Sequence, residues 1–453
     1  MKVRILYGIL LLLVMGCREE FLDLKADKQM VIPESFDDME ALLDYTDLMN
    51  RFLPWMEEVQ ADDYYILEEN WQTLSSTPEY RNAYVWAKDI FEGDAGTSDW
   101  KTPYRIIFQA NVVLDGLLKI NSNMNSVRYN EIKARALFFR SWQFFRQIIL
   151  YAPAYDTGGD NRATLGVPLR LNSGLHETSV RASLEESLQR VVSDLQEAES
   201  LFADVDTHIR TRPSKAACQA LLARVFLYLQ KYEEAGRYAG LAISNFKGGI
   251  IDLSSVNSAL TFPMPRFNRE VIFHSAASTP SPMTASRLNV DSVLYASYGD
   301  DDLRKTVWFR MNAGRLGFRG SYDGSSVYFN GLTVAECLLT RAECLIRQGE
   351  LDAGLRDLTT LLRNRVEGYV PPTALDRNRA LAYVLSERRK ELVFKGVRWM
   401  DLKRLNLKPE TARTISRRLG GRTYQLLPNS PNYVYPIQPD VIELTGMIQN
   451  ERQ

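Results

Sequence analysis

Between residues 55 and 100 the chain sets Trp55, Tyr64, Tyr65, Trp71, Tyr80, Tyr84, Trp86 and Trp100 among Asp62, Asp63, Asn70, Arg81 and Asn82. A sugar ring has apolar C–H faces edged by hydroxyls. A flat aromatic beside Asn, Asp or Arg can therefore stack on one face and hydrogen-bond the rim. Catalysis finds no comparable support. Asp62 and Asp63 are sequence neighbours, and adjacency alone does not give the separation across a scissile bond that glycoside hydrolysis needs. The three histidines, His176, His208 and His274, lie far apart and in no metal-ligand spacing. The sequence has no G-x-S-x-G elbow, no Gly-Lys-Ser/Thr phosphate loop and no H-E-x-x-H. No enzyme activity, metal or cofactor is expected.

A second concentration of reactive side chains is ERRKELVFKGVRWMDLKRL, residues 387 to 405, with seven basic groups among large apolar ones. The whole chain of 453 residues carries 55 Lys plus Arg against 56 Asp plus Glu, a net charge of −1. That balance exerts no general pull on phosphate backbones or anionic membranes. Nucleic-acid binding would need basic groups without interleaved acids, so no nucleic-acid partner is expected. Glu391 stands four residues before Lys395 and Glu387 three before Lys390, both helical ion-pair spacings. Leu392, Val393, Phe394, Val397, Trp399, Met400 and Leu402 would turn inward. The stretch reads as a structural helix with a charged outer face. Each exposed pair would contribute a few tenths of a kcal/mol, against roughly several for burying Phe394 and Trp399.

The elements that must position these groups are mostly helical. Apolar periodicity predicts helices over Ser35–Leu48, Tyr104–Leu118, Asn125–Tyr151, Ser183–Phe202, Ser214–Gln230, Tyr232–Asn245, Thr333–Gln348, Leu351–Arg365 and Asp376–Lys395. Arg212-Pro213-Ser214 is a helix start, and Gly396 a closing residue after Lys395. An internal repeat appears at an offset of 119: Ala216 falls on Ala335, Cys218 on Cys337, Ala223 on Ala342, Leu227 on Ile346 and Tyr232 on Leu351. Small residues inside the first helix and a large one opening the second are the pattern of tetratricopeptide-like hairpins. Three stretches interrupt this scaffold. Residues 52–103 hold four of the seven Trp; 247–332 are rich in Gly, Ser, Pro and Asn; 408–440 include LPNSPNYVYPIQPD. They read as long, irregular, partly β excursions, where function is often placed.

The first residues are not part of the fold. MKVRILYGILLLLVMGC has Lys2 and Arg4, an apolar run from Ile5 to Met15, then Gly16 and Cys17. The run is about half the ~20 residues a membrane-spanning helix needs and reads as a signal peptide over 1–16. Gly16-Cys17 resembles a bacterial lipobox, with Val14 and Met15 where that pattern has Leu and a small residue. Cys17 is therefore the expected lipidation site. Cys218, Cys337 and Cys344 remain, an odd number within helical stretches, and are expected to be core thiols.

ERRKELVFKGVRWMDLKRL resembles the carboxy-terminal signature of the SusD/RagB family of outer-membrane nutrient-binding lipoproteins. YRIIFQANVVLDGL (104–117), KARALFFRSWQFFRQIILYAPA (133–154), YGDDDLRK (298–305), YPIQPDVIELTGMIQN (435–450) and FLDLK after Cys17 are similar to further family segments, in family order. The resemblance implies one SusD-like domain over 17–453, mostly α, with a tetratricopeptide-like scaffold and one irregular binding face. It implies a lipid-anchored protein at the outer membrane, exposed at the cell surface. Such a protein would bind oligosaccharide and serve as the lid of a SusC-type TonB-dependent transporter. Some members of the family take peptides or other nutrients instead, and a scaffold that binds only the transporter is a further reading. By the same resemblance, an aromatic platform with polar neighbours is drawn from the early and middle chain. The candidates are Tyr65, Trp71, Tyr80 and Arg81, with Trp308 or Tyr322. Tyr84, Trp86 and Trp100 look like framework positions and are expected in the core.

Overall fold

The computed structural model describes residues 33–51, 53–92, 99–120, 126–175, 177–203 and 208–453. The leader, Cys17, FLDLK, Asn125 and His176 lie outside these residues. Ten helices of eight residues or more form the scaffold: α1 (Phe36–Leu43), α2 (Lys101–Lys119), α3 (Val127–Tyr151), α4 (Leu184–Leu201), α5 (Lys215–Tyr228), α6 (Tyr232–Asn245), α7 (Val334–Gln348), α8 (Leu351–Leu362), α9 (Arg377–Glu391) and α10 (Arg398–Leu405). Local chemistry fixes their starts. The Ser183 hydroxyl accepts from the Glu186 N–H and the Glu186 carboxylate accepts from the Ser183 N–H, at 3.1 and 3.0 Å, closing a capping box on α4. Ser214, Thr333 and Asp376 cap α5, α7 and α9 by accepting from the N–H three residues on. Gly349, with φ 94°, ends α7 in the left-handed region.

Each helix from α2 to α8 packs on its successor, and α9 lies against α7 and α8. The repeated pairs behave as the sequence predicts. Ala216, Cys218, Ala223 and Leu227 are buried in α5, and Ala335, Cys337, Ala342 and Ile346 in α7. Small residues allow this approach. A Cβ at Gly354 of α8 would sit 2.8 Å from the Ala342 carbonyl oxygen, closer than packed atoms come. The three cysteines are buried and unpaired, and burial pushes the Cys344 thiol up to about 12. The mostly α, tetratricopeptide-like reading is the observed fold. Among the described residues the strands form two-stranded antiparallel pairs.

Four helices depart clearly from their predicted limits, and α2 does so by beginning at Lys101 rather than Tyr104. The Ser35–Leu48 segment breaks after Leu43 and resumes as Thr46–Met49. Asp44 at the break is drawn into ion pairs with Arg135 and, at 2.6 Å, Arg212. α8 stops at Leu362 because Arg365 turns into the core toward Glu391 and Glu270. α9 stops at Glu391 rather than Lys395. Phe394 and Gly396, with φ 52° and 75°, reverse the chain so that α10 returns against the scaffold.

The charged outer face expected for residues 387–405 is not there. The apolar residues go inward as predicted, but Arg388, Lys390, Glu391, Lys395, Arg398, Lys403 and Arg404 are buried as well. Each has a partner from another part of the chain. Arg304 meets Glu387 at 2.6 Å and Glu391 at 3.3 Å; Arg365 meets Glu391 at 3.0 Å and Glu270 at 2.7 Å. Arg404 meets Glu343 at 2.7 Å and Asp401 at 2.8 Å. The Lys403 ammonium donates to the Ile149 and Ala152 carbonyls at the end of α3. Periodicity reported the inward apolar residues, but it is blind to charges neutralised by segments far away in sequence. The stretch ties the middle excursion, α3 and α7 to one hub.

Candidate binding cleft

After a short helix, Met56–Gln60, the chain extends through Asp62 and Asp63 into Tyr64–Tyr65. This pair forms an antiparallel bridge with Asn289–Val290 of the middle excursion. Successive side chains on a strand point to opposite faces, which separates the two tyrosines. Tyr64 is buried and its hydroxyl donates to the Val59 carbonyl at 3.0 Å. Tyr65 points outward and is 41% exposed.

Tyr65 borders a cleft of about 340 Å³, with Asp62, Asp291, Arg389, Arg413 and Arg418 also on its walls. Val293, Arg389 and Arg413 line an adjoining cleft of about 560 Å³, which reaches Asn378 and Ser386 of α9. One wall of the smaller cleft is the hairpin Ile415–Leu419 and Arg422–Leu426, paired Ile415 to Leu426 and Leu419 to Arg422. Gly420 and Gly421, with φ 56° and 71°, form its two-residue turn, which requires left-handed backbone at both positions.

The floor is ionic. Asp62 accepts from Arg398 Nε and Nη2 at 2.6 and 3.0 Å, and Asp63 accepts from Arg389 Nε at 2.9 Å. Burial would raise Asp62, but the Arg398 and Arg389 guanidiniums hold its carboxyl well below the usual carboxylate range. Burial raises Asp63 despite Arg389, and it raises Glu58, next to Asp63 and Glu57, further still. The adjacent carboxylates therefore anchor the early excursion to the signature stretch. Each holds arginines rather than facing its neighbour across a bond. Among the described residues no group of His, Cys, Asp and Glu forms a metal site.

The candidate residues divide sharply. Trp71 is half-buried on the helix Glu68–Gln72. Its indole N–H donates to the Arg81 carbonyl at 3.0 Å, and its ring lies 6.4 Å from that of Tyr424 on the hairpin. Tyr80 is half-buried on Pro78–Tyr84, and Arg81 pairs with Glu92 at 2.7 Å. Trp71 thus links the Arg81 main chain to the hairpin, and Trp71, Tyr80 and Arg81 do not line the cleft at which Tyr65 stands. Trp308 and Tyr322 do not join them: they are 1% and 0% exposed. Their rings clasp the Lys395 ammonium, 4.6 and 4.2 Å from its nitrogen, and the Tyr322 hydroxyl donates to Glu270 at 2.8 Å. A ring with both faces packed cannot stack on a solute, so these two serve the hub. Tyr84, Trp86 and Trp100 are buried, as expected of framework positions.

Arg389, Arg413, Arg418 and Tyr424 were not singled out by the sequence reading. One signal was available for the hairpin that carries two of them. ISRRL and RTYQL flank Gly420-Gly421, an alternating strand, a double glycine and a second strand.

Comparison with known proteins places the chain among relatives. Residues 20–227 match the model of a family described as starch-binding and associating with the outer membrane, and residues 319–451 match the model of the SusD family. The fold is similar to a SusD superfamily protein from Bacteroides thetaiotaomicron, with 19% identity, TM-score 0.73, and 92% of this chain and 100% of that one covered. It is similar to a SusD superfamily protein from Bacteroides vulgatus, with 21% identity, TM-score 0.73, and 92% and 98% covered. A SusD-like carbohydrate binding protein from Bacteroides vulgatus aligns at 19% identity with TM-score 0.68, covering 91% and 97%. Comparison with curated proteins returns no match.

Proposed function

Because this chain belongs to the SusD family, we propose that it is an outer-membrane lipoprotein that captures oligosaccharide at the cell surface and hands it to a SusC-type TonB-dependent transporter, over which it acts as a lid. Residues 17–453 form its one SusD-like domain, and Cys17 carries the acyl chains. Several chains on one cysteine exceed the two-signal threshold for stable anchoring. Among the described residues no helix is long and apolar enough to cross a membrane.

The observation that carries the binding part is Tyr65, an outward-facing ring at the lip of a cleft that also presents the hydrogen-bonding side chains of Asp291, Arg413 and Arg418. An exposed aromatic costs hydration unless something covers it, and a sugar face is the right size and polarity to do so. The carbohydrate binding named for one structural neighbour agrees with this reading. Trp71 supports the hairpin wall through the Tyr424 ring.

Isothermal titration calorimetry with a panel of glycans and peptides tests the proposal. Heat with a glycan, lost in Tyr65→Ala, is expected; heat with peptides alone would replace sugar by peptide as the ligand. Mass spectrometry of the membrane-fraction protein should find acyl groups on Cys17, and an unmodified thiol there would remove the anchor from the account.

A further inference from the structure

The walls of the Tyr65 cleft are unevenly charged. Arg389, Arg413, Arg417 and Arg418 line it, against Asp62 and Asp291. Asp62 is already held by both nitrogens of the Arg398 fork, so Arg413, 3.4 Å away with its side chain 45% exposed, contributes a surplus charge. Among the described residues Arg417 has no carboxylate partner: it donates to the main-chain carbonyls of Val59, Ala61 and Tyr84 and stacks on the Tyr84 ring at 3.6 Å. Arg418 projects from the exposed face of the hairpin and has no carboxylate partner among the described residues. Burial lowers Arg413 from its ordinary value, Asp62 and Asp63 raise it, and the neighbouring Arg398 and Arg389 lower it. Asp63 is taken up by Arg389 at 2.9 Å, and the buried Glu58 is pushed toward its neutral form, so neither offsets Arg413 or Arg418. In a chain of net charge −1, arginines gather at this ring-bordered cleft.

We propose, on the premise that the Tyr65 cleft is the oligosaccharide site, that its ligand is an acidic glycan, with Tyr65 on a sugar face and Arg413 and Arg418 on a carboxylate or sulfate. A planar guanidinium offers two parallel N–H donors to such an oxyanion, and the bond is charge-assisted. A neutral glycan would satisfy the ring but leave both arginines facing water.

Calorimetry on the full chain at low and at high salt tests this with three probes. Oligogalacturonate carries carboxylates only, keratan sulfate sulfates only, and malto-oligosaccharide neither. Binding of one acidic probe is expected, at least tenfold tighter than the neutral one and weakening severalfold as salt rises. Which acidic probe binds distinguishes carboxylate from sulfate. Arg418→Gln should weaken it three- to tenfold without moving the thermal midpoint, and Arg413→Gln should do the same. Tight, salt-insensitive binding of malto-oligosaccharide, lost in Tyr65→Ala but kept in Arg418→Gln, would overturn the acidic ligand and leave the oligosaccharide site standing. Heat from none of the three, with heat from peptides, would overturn both.

Discussion

Two aromatic residues one position apart make opposite commitments. Tyr64 is core and Tyr65 is surface, and the difference follows from the period of two on a bridge that the sequence alone does not reveal. Tyr65→Ala should therefore lower ligand affinity on the order of tenfold, roughly 1.4 kcal/mol, while the thermal midpoint stays put. Trp308 makes the opposite prediction. It is packed on Lys395, so Trp308→Ala should cost about 3–5 kcal/mol in a urea titration and leave the ligand affinity of the folded fraction unchanged. A loss of binding with no loss of stability would return Trp308 to the site. Residue type suggested a ring-binding chemistry for both; only burial separates them, and burial depends on contacts from distant segments. Tyr84, Trp86 and Trp100 could be placed in the core because the motifs around them look like framework.

The elements divide in the same way. The α5–α6 and α7–α8 hairpins were legible because their periodicity, caps and small residues are all local. The charge pattern of 387–405 misled, because its neutralising partners lie in the excursions and in α7. One such partner sets a pH dependence. Burial would raise Glu343, but Arg404 and Arg347 push it down to about 2 from 4.5. A depressed carboxyl contributes stability that is full above about pH 4.5 and lost as pH falls toward 2. The shift corresponds to about 3 kcal/mol. Glu343→Gln should lower the urea midpoint at pH 7, and its difference from the parent should shrink between pH 4.5 and 2. A difference constant across that window would contradict the pairing. At the cleft, Gly421→Val puts a β-branched residue at φ 71° and should weaken ligand binding by distorting the wall, whereas Gly421→Asn should be tolerated. Equal binding by both variants would detach the hairpin from the site.

For the molecule as a whole, the early excursion, the middle excursion and the carboxy-terminal hairpin meet around one hub, and the cleft lies where they meet. Asp62 and Asp63, Asn289 and Val290, and Arg413 to Arg418 come from three regions more than a hundred residues apart. No local pattern could have assembled them. Family motifs located the scaffold and the hub, since these are the parts whose packing restricts sequence most. Hydrogen-exchange mass spectrometry on the full chain, with and without a glycan found to bind, tests the central claim most directly. Protection is predicted in peptides covering 62–66, 289–294 and 413–418 together; protection confined to other segments, with those three unchanged, would contradict the account.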